Sequence, residues 1–198
     1  MAYHDTKKGV YNRGIPPDTF LSEMIAWGRT ASDAIFAPNP NPKDIYAHIK
    51  RELGPWESLQ HRRAAMLEVM RVLAGFESSW NWTEGVDTSR AGEDTPSNTE
   101  AGAWQVSYDA RYFSPELQQL LDNKGIKNGV QFQKAMKADH PLAMEFVSRL
   151  MRFTCKHNGP LYKGDERSAI RTSLRSAEHS IYPWISRSAT SEFQRLLT

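Results

Sequence analysis

Between Ser58 and Glu77 the chain carries an unbroken helical pattern of about five turns, and this run constrains the fold more than any other feature. Met66, Leu67, Met70, Leu73 and Ala74 recur at the three- and four-residue spacing of one helix face. His61, Arg62, Arg63, Glu68 and Arg71 fall between them and are expected mostly outward. A helix with so broad an apolar face needs other elements around it, so this is the expected central helix. Its end is abrupt. From 80 to 113 the period is lost, and Gly85, Gly92, Pro96, Asn98 and Gly102 punctuate the sequence. A short hairpin is expected around 101–107, although the alternation there is weak.

The rest of the chain supplies the surrounding helices. Residues 1–17, with the Pro16-Pro17 pair, read as an irregular N-terminal segment. Asp18 or Thr19 is expected to cap a first helix carrying Phe20, Leu21, Met24, Ile25 and Ala31, which the PNPNP run at 38–42 ends. Asn41 is expected to cap a second helix with Pro42 at its first position and Ile45, Ile49 and Leu53 as its stripe, stopped by Gly54-Pro55. Ser114-Pro115-Glu116 opens a short helix, Asn128-Gly129 leads into another, and Pro141 starts a longer one through Leu142, Phe146, Leu150 and Phe153. Two further stretches, 165–179 and 188–197, flank a corner at Tyr182-Pro183-Trp184, which is expected to be buried. The 198 residues suit one domain with one core: mostly α, with a central helix, a small loop or hairpin lobe at 77–113, and a C-terminal helical lobe.

Charge is distributed unevenly. Residues 77–110 hold seven carboxylates (Glu77, Glu84, Asp87, Glu93, Asp94, Glu100, Asp109) against Arg90 alone, a local charge of −6 in a chain of net charge +2, so the remainder carries +8. That remainder reads either as an ordinary solvated face or as an attraction to anionic surfaces such as wall polymers. The excess is too small for a nucleic-acid binder, and no arginine-rich helix or aromatic ribbon supports one. No apolar run is long enough to span a membrane, and the start lacks the apolar core of a signal peptide. Cys155 is the only cysteine, so no disulfide joins one part of the chain to another.

An acidic, aromatic segment suits cleavage of sugar polymers. Glycosidic hydrolysis needs one carboxylic acid kept protonated to supply the leaving oxygen. A second carboxylate commonly acts as nucleophile, base or electrostatic support. Glu77 is the candidate acid, because it closes the central helix beside Phe76, Trp80 and Trp82, whose rings would desolvate it. The plainer alternative is a solvated glutamate at a helix end. Asp87, placed after Gly85 where a turn could aim it back, is the first choice for the second carboxylate; Asp94, Glu100 and Asp109 stay open, each against a solvated loop acid. Trp80, Trp82 and Trp104 are candidates for stacking on sugar faces or for the core, whereas Trp27, Trp56 and Trp184 are assigned to the core. The six histidines show no metal-ligand spacing and the acidic loop no calcium-loop pattern, so no metal or other cofactor is expected. Cys155 with His157 could suggest a cysteine peptidase or amidase, against which stands simple buried packing.

Three short motifs add a resemblance. Glu77-Ser78-Ser79, then a loop, then Gly102-Ala103-Trp104-Gln105-Val106, and finally Asn158-Gly159-Pro160, occur in the order found in the lysozyme-like superfamily. The chain resembles goose-type lysozymes and soluble lytic transglycosylases, which carry Glu-Ser at the end of a central helix, then Gly-Leu-Met-Gln and a small apolar residue, then Tyr-Asn-Ala-Gly-Pro. Ala103 and Trp104 depart from the second motif; His157 and one missing residue depart from the third. The resemblance implies cleavage of the β-1,4 bond between N-acetylmuramic acid and N-acetylglucosamine, with Glu77 as acid, Gln105 and its backbone neighbours holding an N-acetyl group, and Asn158 shaping the groove. Ser78 matches the family's Glu-Ser, or merely satisfies the helix end. A lytic transglycosylase would need no second carboxylate. The same motifs would also suit a chitin- or chitosan-cutting relative, or a non-catalytic wall-binding module. The implied setting is a monomer acting on peptidoglycan glycan strands after delivery by phage or secretion machinery, with an immunity protein as a further partner, no nucleic acid and no membrane insertion.

Overall fold

The computed structural model describes residues 3–85, 95–155, 161 and 180–198. The described chain is mostly helical with almost no strand. In order, the α-helices are α1 (Asp18–Thr30), α2 (Ile45–His48), α3 (Lys50–Leu53), α4 (Leu59–Ser78), α5 (Pro115–Asn123), α6 (Gly129–Ala138), α7 (His140–Phe153) and α8 (Arg187–Leu196). Short 3-10 turns lie at Asp33–Ile35 and Tyr108–Phe113. No described helix is long and apolar enough to cross a membrane.

The central helix is α4. Ser58 is extended and its hydroxyl accepts the amide of His61, so the helix starts one residue later. Helices α1 and α8 pack against it, α7 packs on α1, and the 101–106 turn closes over its C-terminal end, leaving Ala64 to Ala74 buried. Burial all round corrects the expected outward set: Glu68, Arg71 and Arg62 lie inside. Arg71 pairs bidentately with Glu68, at 2.7 and 2.8 Å, and Glu68 also accepts the amide of Ser186 at 3.0 Å. Burial pushes the Glu68 carboxyl upward against the pull of Arg71.

Arginines elsewhere also bond carbonyls that a helix or turn leaves unpaired. Arg63 donates to Gly28 and Ala31 at the end of α1, Arg29 to Leu196 at the end of α8, and Arg187 to Glu52 and Gly54 at the end of α3. Arg62 and Arg152 converge on the carbonyls of Ile35, Phe36 and Ala37, with Asp44 pairing Arg152. Arg62 and Arg152 are buried like Arg71, so for these three neither a solvated face nor a polymer-attracting surface applies, whereas Arg29 and Arg187 are exposed.

Local signals near helix ends were followed to differing degrees. Ser114, Asn128, Asp139 and Ser186 each cap the helix that follows, with Pro115 and Pro141 in first turns. At α1 the cap position is Pro17, and Asp18 is the first helical residue, paired with Lys7 at 2.6 Å. That helix ends at Thr30, before PNPNP. Asn41 is not a cap: its side chain bonds the amide of Lys43 and the carbonyl of Arg152, and Asp44 caps α2 instead. The corner at 182–184 is only half-buried, its fully buried members being Ile181 and Ile185. The expected helix at 165–179 lies outside the described residues.

Candidate active site

The site forms where α4 stops. Ser79 and Trp80 both adopt left-handed backbone angles, φ 54° and 62°, which a side chain with a Cβ adopts at a cost. Their amides fold back on the carbonyls of Gly75 and Ala74. The indole N–H of Trp80 donates to Arg71 O at 2.8 Å, and the ring lies against Gly75, where a Cβ would meet it at 2.7 Å. Burying this ring and bonding its N–H offset the unfavourable turn.

The second motif is a tight hairpin. Ala101 and Val106 exchange amide–carbonyl bonds at 3.1 and 3.3 Å around the loop Gly102-Ala103-Trp104-Gln105. Its only ladder contact is this single bridge. Gly102 has φ 75°, and a Cβ there would lie 2.8 Å from Met136 O. Gln105 is also left-handed, at φ 44°, and its amide nitrogen donates to Gly102 O at 2.8 Å. Three of the four non-glycine residues with positive φ among those described therefore lie at this junction.

One side chain joins the two motifs. The buried Ser78 hydroxyl donates to Ala103 O at 2.9 Å, lies 3.2 Å from Ala74 O, and accepts the amide of Asn81 at 3.0 Å. These bonds are those of the plainer sequence reading of Ser78, satisfying the helix end, and they clasp the hairpin as well. Gly102 N also donates to Glu84 O at 3.2 Å, tying the turn after α4 to the same hairpin. Glu77 stands beside this clasp as the penultimate residue of α4, half-buried between the buried Phe76 and Ser78.

The tryptophans divide clearly. Trp80 and Trp104 are 4% and 1% exposed, with indole N–H groups on Arg71 O and Met70 O, so neither offers a face to a sugar. Trp82 is half-buried. It packs against Phe20 and edge-on to Trp104, and it stacks flat on His140 with ring centroids 3.9 Å apart and 7° between planes. The His140 contact is invisible in sequence: a histidine before Pro141 at a helix start gives no signal of a partner in another element.

Of the candidate second carboxylates, Asp87 and Asp94 lie outside the described residues, as does Asn158. Glu100 is half-buried. Asp109 pairs with Arg111 at 3.2 Å and is half-buried. Cys155 is buried, its thiol pushed up to about 12 by burial, so it stays protonated and is no nucleophile at neutral pH. Among the described residues no cluster could hold a metal ion. No protein-family description, curated protein or solved structure matches the chain.

Proposed function

We propose that this chain is a peptidoglycan muramidase in which Glu77 protonates the glycosidic oxygen between N-acetylmuramic acid and N-acetylglucosamine. The observation that supports it is the clasp between the two motifs. Glu77-Ser78 and Gly102–Gln105 stand 25 residues apart, and the Ser78 hydroxyl meets Ala103 O. A general acid must be held rigidly and partly desolvated. Glu77 has a half-buried position at the end of a core helix, next to a residue bonded on three sides. The strained turns at Ser79, Trp80 and Gln105 favour the same reading, since such backbone persists where its surroundings enforce it and gathers at working sites.

In this mechanism Glu77 gives its proton to the leaving oxygen as the anomeric carbon acquires positive charge. Water attacks with help from Asp87 or a neighbouring acid. If the 6-hydroxyl of the substrate attacks instead, the product is an anhydro sugar and no second carboxylate is needed. The fold reading that accompanies this is lysozyme-like, and the implied partners are glycan strands, a delivery machine and an immunity protein.

Digestion of purified sacculi with mass spectrometry of the products tests the proposal. Wild type should release muropeptides, and Glu77→Gln should be slower by about 10²- to 10⁴-fold. Activity of Glu77→Gln within tenfold of wild type would remove the acid from the mechanism. Binding to sacculi with no released sugar ends would make the chain a wall-binding module. Faster release from chitin or chitosan would move the substrate, and a product lighter by one water would mark transglycosylation.

A further inference from the structure

We propose that His140, held by Glu23, is a positioning residue of this site: its ring is the platform that sets Trp82. The catalytic consequence rests on the muramidase reading, whereas the platform itself does not. Trp82 differs from its two neighbours in how it is held. Trp80 and Trp104 are oriented by hydrogen bonds to carbonyls of α4. The Trp82 indole nitrogen is buried with no hydrogen-bond partner, so stacking alone orients the ring. Its flat contact is His140, the first residue of α7, and its other contacts are Phe20 of α1 and the edge of Trp104.

His140 is itself fixed. Its Nδ1 hydrogen-bonds Glu23 Oε2 of α1, which orients the ring. Two flat aromatic rings in contact attract beyond the area they bury. Trp82 sits in the turn from Asn81 to Gly85 that leaves Glu77 and bonds the hairpin through Glu84 O. Loosening its ring therefore loosens the turn that follows Glu77 and bonds the Gly102–Gln105 hairpin.

Other charged groups near His140 are engaged. Asp139 caps Leu142 and pairs with Lys124 of α5 at 3.6 Å, and the Lys137 ammonium of α6 lies toward Gly85. Glu23 is left as the group in direct contact. Removing the His140 ring therefore frees the Trp82 ring.

Tryptophan emission tests this, with the share of Trp82 taken as the difference between each protein and the same protein carrying Trp82→Phe. In wild type that share should be poorly reached by acrylamide. His140→Leu, which removes the flat ring, should make it readily quenched, and His140→Phe, which restores one, should bring the protection back. On sacculi, kcat of His140→Leu should fall by about 2- to 13-fold, with KM little changed, and His140→Phe should recover it. Equal quenching of Trp82 in wild type and His140→Leu overturns the platform. Altered quenching with an unchanged kcat overturns the positioning role. If wild type releases nothing from sacculi, the muramidase reading fails, and the fluorescence arms still decide the platform.

Discussion

Gly102 shows how much a single residue settles here. Its φ of 75° belongs to the region glycine enters freely, and Met136 O occupies the space a Cβ would need. Gly102→Ala should therefore destabilise the protein by about 1–3 kcal/mol, and should impair lysis more than stability if the hairpin belongs to the site. Thermal unfolding alongside sacculus digestion checks both, and an unchanged melting temperature would mean that the hairpin shifts freely. The need for glycine was legible from the sequence only as punctuation; what blocks a side chain is a carbonyl on α6. Ser78 is similar, since its place after Glu77 is visible in sequence but Ala103 O is not. Trp80 and Trp104 look like sugar platforms because tryptophan serves cores and saccharide sites equally well. Only the carbonyls of α4 that meet their N–H groups decide for the core.

At the scale of elements, the N-terminal segment is fastened to α8 by one carboxylate. Glu192, 7% exposed, accepts the amides of Thr6 at 2.7 Å and His4 at 3.0 Å. Burial pushes its carboxyl up, but the amide of Thr6, then that of His4, outweigh this and leave it below the ordinary value of 4.5. A carboxyl held low in the folded state adds stability that is present above its unfolded pKa and is lost as pH falls through the folded one. Glu192→Gln should then lower the melting temperature at pH 7 and flatten its decline below about pH 4.5. The loss should be about 1.5–3 kcal/mol at neutral pH, and parallel curves for variant and wild type down to pH 2 would refute it. Sequence periodicity placed α8 but left the polar Glu192 unread, because its partners lie some 190 residues away. The helix starts fared better. Ser58, Ser114 and Asn128 bond amides two or three residues on, so the whole interaction is contained in the local sequence.

Across the whole molecule, α8 is what makes α4 a buried helix. Phe193, Ala189 and Leu196 are buried against the core, Gln60 bonds Gln194 O, and Arg29 caps the helix end at Leu196. A chain shortened to end at Ile185 should lose its cooperative thermal transition, since Glu68 and Arg71 would lie beside water on a face otherwise apolar. Calorimetry or near-ultraviolet circular dichroism would detect this, and a retained transition within a few degrees of wild type would contradict it. By itself the sequence determined the central helix, most helix starts, the polar break at 77–113 and the hairpin at its far end, because periodicity, caps and turn residues act over a few neighbours. Only the tertiary structure decided that Arg62, Arg71 and Arg152 are buried, that Ser78 clasps Ala103, and that Trp82 rests on His140. Each of these joins groups from separate elements, and a buried charge or an unpaired carbonyl has no local mark.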